Sequence, residues 1–159
     1  MPGIVRKASK ADAAQIAEII AELVREPHQG GFQREWTTAE VEQWMDRQGD
    51  DGTFIVVEDR AHILAFATVD FASDEPDAAT FGAYVRAQNR RQGHGAALAE
   101  ECMAFARERG YKRIKGRLPA NNEPALSYLS SVGALVPLTN PGSSFELPIY
   151  QETDRGGDA

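Results

Sequence analysis

The spacing of apolar and polar residues changes period several times along this chain, and each change marks an element. Ile4 to Ala8 reads as a short first strand. From Ala11 to Arg25, Ile16, Ile19, Ile20 and Leu23 recur at helical intervals, with Ser9 or Asp12 near the start, and predict an amphipathic helix. Pro27-His28-Gln29-Gly30-Gly31 ends it. Val41, Trp44 and Met45 mark one side of a second helix over Thr38 to Arg47; Thr37 or Thr38 is its cap and Glu40 lies in its first turn. After the turn Gly49-Asp50-Asp51-Gly52, the runs Thr53 to Glu58 and Ile63 to Phe71 read as a hairpin joined through Asp59-Arg60-Ala61-His62. Ser73 to Asp77 reads as a loop and Thr80 to Val85 as the next strand.

In the second half, Leu98, Cys102 and Phe105 form a core-facing stripe on a helix from about Gly93 to Arg109, which Gly110 terminates in a left-handed conformation. Lys112 to Leu118 alternates as a strand. Asn121 or Asn122 caps a last helix, with Pro124 in its first turn and Leu126, Leu129 and Val132 facing inward. Ala134 to Leu138 and Ser144 to Tyr150 read as closing strands around Asn140-Pro141-Gly142, with Pro148 suggesting an edge or a bulge. A strand, a helix and a strand in succession between Thr80 and Leu118 make a right-handed crossover with parallel strands. The remaining strands are mostly hairpin-linked, so the expected class is α/β (α+β) with a mixed sheet. Residues 1–150 read as one domain and 151–159 as a disordered polar tail.

Composition narrows the function. A hydrophobic fraction of 42% and a charged fraction of 26% are those of an ordinary globular domain. A net charge of −7 argues against non-specific nucleic-acid binding, and no apolar stretch suits a membrane span or a secretory signal. One cysteine, Cys102, forms no internal disulfide, which agrees with a cytoplasmic protein; its helical register makes it a buried apolar residue rather than a nucleophile. No metal site is expected.

The informative stretch is Arg90-Arg91-Gln92-Gly93-His94-Gly95-Ala96, at the junction of the Thr80–Val85 strand and the following helix. Two glycines let main-chain amides approach a ligand, and a helix start offers unpaired N–H groups with a partial positive charge, which suits a diphosphate. Arg86, Arg90 and Arg91 crowd the same place in an otherwise acidic chain, so an anionic cofactor is expected here. Neither the G-x-x-x-x-G-K-[ST] nor the G-x-G-x-x-G loop fits, since Leu98 stands at the third glycine's place.

Arg90-x-x-Gly93-x-Gly95 resembles the R/Q-x-x-G-x-G/A signature of the GNAT N-acetyltransferase superfamily, with Val85 five residues upstream as in that family. Asn122-x-x-Ala125, with Gly133 closing the next helix, is similar to the family's N-x-x-A…G-F ending. The resemblance covers most of the chain, its specific part being residues 80–134. It implies an acyl-CoA N-acyltransferase fold: a mixed central sheet, helices on both faces and a splayed parallel strand pair holding acetyl-CoA. It implies direct transfer to a small-molecule or peptide amine in a ternary complex, in proteins among which sheet-edge homodimers are frequent. Main-chain groups of Arg91, Gln92, Gly93, His94, Gly95 and Ala96 would hold the pyrophosphate, with Arg90 and Arg91 adding charge. Main-chain groups around Ala83 and Val85 would bind the pantetheine and polarise the thioester, and Asn122 would reach the same arm.

Two departures bear on mechanism. Where many relatives place a tyrosine acid stands Leu129; its neighbour Tyr128 is a candidate acid, but points about 100° away on a regular helix. Where some relatives carry a glutamate base, Thr80 to Val85 holds no carboxylate, leaving Glu35, Asp70, Glu146 or water as candidates. Tyr84 and Arg117 are candidate cleft residues, with core packing for Tyr84 and an exposed strand face for Arg117 as the preferred readings. The acceptor pocket is expected to draw on Glu26 to Trp36, the second helix and Asn140 to Ser144. Alternatives left open are a non-catalytic acyl-CoA-binding module and a nucleotide-binding protein using the glycine loop.

Overall fold

The computed structural model describes residues 3–26, 32–71, 75–116 and 145–147. Strand β1 (Ile4–Lys7) leads through a short 3₁₀ turn, Lys10–Asp12, into helix α1 (Ala13–Arg25), and helix α2 (Thr38–Gln48) follows. Strands β2 (Thr53–Asp59), β3 (His62–Phe71) and β4 (Ala78–Val85) precede helix α3 (His94–Arg109), and β5 (Arg113–Gly116) and β6 (Phe145–Leu147) close the described chain. The six strands form one sheet in sequence order, antiparallel at every step except the parallel pair β4–β5. The mixed sheet expected from the crossover is therefore present. Asn122, Tyr128, Leu129, Arg117 and the elements expected between 117 and 144 lie outside the described residues, as do 148–159.

Local chemistry explains the element ends. Thr37 Oγ1 accepts from Glu40 N while the Glu40 carboxylate accepts from Thr37 N, a reciprocal cap that fixes the start of α2. Arg60 and Ala61, at φ +53° and +68°, form the two-residue hairpin turn whose twist matches that of β2 and β3. Gly110, at φ +91°, ends α3; its N–H donates to Arg107 O and that of Tyr111 to Ala106 O, which satisfies the last carbonyls. β4 starts two residues earlier than its apolar pattern predicts, because Ala78 and Ala79 are buried against the parallel partner.

Each face of the sheet has its own core. Ile16, Ile19, Ile20 and Leu23 of α1, with Val41 and Trp44 of α2, pack on Phe54, Val56, Ile63 and Phe66. Leu98, Ala99, Cys102, Met103 and Ala106 of α3 pack on Ile55, Val57, Ala65, Ala67 and Val69 of the opposite face. A bulge after Val57 places Ile63 opposite Glu58 and Ala65 opposite Val57, so Leu64 joins the α3 side without breaking the alternation beyond it. No helix among the described residues is long and apolar enough to cross a membrane.

Candidate active site

β4 delivers the chain through a 3₁₀ turn, Ala87–Asn89, to Gly93, the residue before α3. Gly93 adopts φ +86°, and Arg91 adopts φ +63°, a left-handed conformation that costs a side-chain-bearing residue about 1–2 kcal/mol. The first hydrogen bond of α3 runs from Ala97 N to Gly93 O at 3.1 Å. The amides of His94, Gly95 and Ala96 thus begin the helix without helical acceptors and carry its positive pole. Apart from its chain neighbours and the helix's own backbone, a Cβ at Gly93 or Gly95 would meet nothing within 4 Å among the described residues, so open space lies over this turn. These features fit a bound diphosphate.

The arginines are arranged differently from the sequence expectation. Arg86 is buried; its Nε donates to Ile63 O at 2.8 Å and its guanidinium pairs with Glu18 at 3.2 Å and with Glu22. It fastens α1 to the sheet and does not face the loop's open side. Arg90 grips Glu26 through two 2.7 Å bonds and donates from Nε to Val85 O at 3.0 Å. Its charge is matched within the protein, so Arg90 serves first to hold the loop against α1 and the end of β4. Arg91 is exposed. The pattern that anticipates these pairs is Glu18, Glu22 and Glu26 at four-residue spacing, one stripe of α1 facing Arg86 and Arg90.

Strand geometry then decides which groups of β4 face the β5 side. Arg86 N donates to Leu64 O at 3.0 Å, continuing the register Val85↔Ala65, Tyr84↔Phe66 and Ala83↔Ala67. Antiparallel bonding alternates, so even-numbered residues of β4 bond to β3, while Phe81, Ala83 and Val85 turn their N–H and C=O toward the β5 side. The β4–β5 pairing is described as far as Phe81↔Gly116. Past that last described pair, Ala83 and Val85 direct their main-chain groups to the β5 side, where the Val85 carbonyl accepts from Arg90 Nε; these are the positions expected to meet a pantetheine arm.

The even-numbered side chains of β4 face the α1–α2 side. Tyr84 contacts Phe32 and Phe66 at ring separations of 4.9 and 5.0 Å, and Phe32 contacts Trp36 at 6.1 Å. The Tyr84 phenol folds back along the strand, so that a Cβ on Gly82 would collide with its oxygen. Further along the same face, Asp70 stands opposite Thr80 and accepts from Trp44 Nε1 at 2.8 Å. Burial pushes the Asp70 carboxyl up to about 6, against the opposing pull of the Trp44 hydrogen bond. Phe32 and Trp36 are half-buried and continuous with the core, so the aromatic segment expected at the acceptor pocket is also part of the packing.

His94 has its side chain on the protein side of the helix start. It is 1% exposed, Nε2 lies 3.1 Å from Gln92 Oε1, and among the described residues Nδ1 has no hydrogen-bond partner. Burial lowers its pKa, so the ring is neutral at physiological pH. Its main-chain N–H is one of the three amides that begin the helix. Cys102 is fully buried and its thiol is pushed up to about 12 by burial, which leaves it unreactive.

A sequence model described as the acetyltransferase (GNAT) family matches residues 17–134. No curated protein sequence matches the chain. Among solved structures, the chain is similar to YncA from Salmonella typhimurium, solved with its cofactor acetyl-CoA. That match has a TM-score of 0.79 and 18% identity, over 96% of each chain. It is also similar to an N-acetyltransferase from Staphylococcus aureus Mu50, with a TM-score of 0.77 and 20% identity over 94% of this chain and 100% of that one. A phosphinothricin acetyltransferase from Sinorhizobium meliloti, in complex with acetyl-CoA, matches with a TM-score of 0.76 and 18% identity over 86% of this chain and 77% of that one. At these identities the structural likeness concerns the fold.

Proposed function

The chain belongs to the GNAT acetyltransferase family, and from that premise we propose that it transfers an acetyl group from acetyl-CoA to a primary amine, with both substrates bound together. The observation that carries this reading is the start of α3: three amides without helical acceptors, at a helix pole, under open space. The main chain of His94, Gly95 and Ala96 would hold the pyrophosphate, assisted by the Arg91 side chain. The outward-turned groups of Ala83 and Val85 would pair with the pantetheine and hydrogen-bond the carbonyl oxygen as it gains charge. Asn122 would support the same arm, and Tyr128 is the candidate acid for the departing thiol. Acetyl-CoA would supply an activated thioester whose thiol is a good leaving group. The protein contributes position and oriented donors rather than a covalent intermediate.

The acceptor is a small-molecule or peptide amine that enters over Thr80, Gly82 and Tyr84, beneath the Phe32–Trp36 segment. Isothermal calorimetry with acetyl-CoA, followed by amine-dependent release of free CoA from a panel of amino acids, polyamines and short peptides, tests the reading. Absence of acetyl-CoA binding rejects it. Binding without transfer to any amine supports a sensing module instead.

A further inference from the structure

An ammonium must lose a proton before its nitrogen can attack a carbonyl, yet β4 reads Ala78-Ala79-Thr80-Phe81-Gly82-Ala83-Tyr84-Val85 and offers no carboxylate. On the acetyltransferase reading, we propose that Asp70 of the neighbouring strand β3 is the general base that takes this proton from the acceptor amine.

Register places it there. Asp70 is paired with Thr80, Thr68 with Gly82 and Phe66 with Tyr84, so Asp70 shares one face of the sheet with the side chains that border the proposed acceptor entrance. Thr80 is exposed and Gly82 half-exposed, which leaves this part of the face accessible. Asp70 itself is half-buried, with its carboxyl oriented by neutral donors, Trp44 Nε1 at 2.8 Å and the Thr68 hydroxyl.

Several other carboxylates on the α1–α2 side are matched by cations. Glu18 and Glu22 pair with Arg86, Glu26 with Arg90, Glu40 with Arg34 and Asp12 with Arg6. Glu35 lies 3.5 Å from Arg25, and Glu146 is paired in register with Lys115 on the far side of β5. Asp70 differs in that its hydrogen-bond donors are uncharged, with Arg47 of α2 acting through charge alone. Of the groups facing it from α2, β3 and β4 (Trp44, Arg47, Thr68, Thr80 and Tyr84), none titrates near neutrality in its ordinary state. A carboxyl held up to about 6 is ionised at pH 7 and is a stronger base than an ordinary aspartate.

The step balances without further reagents. Asp70 takes one proton from R–NH₃⁺, and the freed lone pair forms the C–N bond to the acyl carbon. As the C–S bond breaks, the thiolate takes a second proton from the nitrogen, directly or through water. Asp70 then returns its proton to solvent.

Asp70→Asn and Asp70→Glu test this. Asp70→Asn is expected to keep acetyl-CoA affinity in calorimetry and to raise the thermal midpoint of the free protein at pH 7.5, because it removes a charge that burial opposes. It should also lower amine-dependent CoA release by about 10²–10⁴-fold and abolish the limb near pH 6 in kcat/KM. Asp70→Glu should recover part of the rate. An Asn variant with near-wild-type turnover and an unchanged pH profile overturns the base while leaving the acetyltransferase reading intact. So does one whose midpoint falls and whose rate loss accompanies lost acetyl-CoA affinity, since that marks a structural role. A wild-type protein that acetylates no amine of the panel overturns the functional reading, and the base with it.

Discussion

Gly93 has a backbone reason to be glycine, its φ of +86°, whereas Gly95 sits in an ordinary helical turn where alanine would fit. Glycine inside a helix costs about 0.5–1 kcal/mol relative to alanine, so its presence there is explained by what must come close from outside. Gly95→Ala should raise unfolding free energy by about that amount. Gly95→Asp should leave the helix intact, since a carboxylate suits a first turn, while reducing acetyl-CoA affinity more than tenfold in calorimetry; unchanged affinity would retire the loop assignment. Asp70→Asn should raise stability at pH 7 by about 1–3 kcal/mol in denaturant unfolding. The sign follows from a folded carboxyl that holds its proton up to about 6: its favourable contribution is complete below the unfolded value near 4 and is lost as pH rises through 6. The glycines were legible from sequence because their motif is local. Asp70 was only one candidate among three, because cross-strand register, which sets it beside Thr80, is a property of the folded sheet.

The α1 stripe of Glu18, Glu22 and Glu26 against Arg86 and Arg90 joins a helix to the strand end and loop that follow β4. The two loop arginines should therefore behave oppositely. Arg90→Ala loses charge-assisted hydrogen bonds and should destabilise by about 1–3 kcal/mol. Arg91→Ala should stay within about 0.5 kcal/mol of wild type and show its effect in acetyl-CoA binding. Urea unfolding and calorimetry on both variants check this; an Arg90→Ala protein of normal stability and weakened binding would return Arg90 to the ligand. The described helices and the hairpin followed from periodicity, and the caps from the chemistry of Thr37 and Gly110, whereas the left-handed Arg60 and Ala61 carry no turn signature. The ion-pair partners did not, because charge near a loop reads the same whether it faces a ligand or a carboxylate 64 positions away.

Across the whole molecule, two cores on opposite faces clamp one mixed sheet, an arrangement that the strand–helix–strand order between β4 and β5 already implied. Acid should weaken it through particular groups. His94 has a lowered pKa in the folded state, so the unfolded chain binds its proton first and stability falls as pH drops through the unfolded value near 6.5. Asp12, 6% exposed and bonded to Arg6, is held below the usual carboxylate range, and its contribution is lost at lower pH still. Asp70 acts in the opposite sense over the same window, so the test is made in the Asp70→Asn background, where thermal midpoints measured from pH 7.5 to pH 5 should decline and His94→Leu should flatten the upper part of that decline. A midpoint independent of pH in that background would show that the buried ring titrates normally.

β4 addresses its surroundings in orthogonal directions: odd-numbered main-chain groups sideways toward the β5 side, even-numbered side chains upward toward Phe32 and Trp36. Whatever reads the acyl donor through peptide groups is blind to side-chain identity. On the proposed acceptor entrance, substitution at exposed Thr80 would retune the choice of amine while donor recognition stays constant, whereas a side chain at Gly82 would first have to displace the Tyr84 phenol.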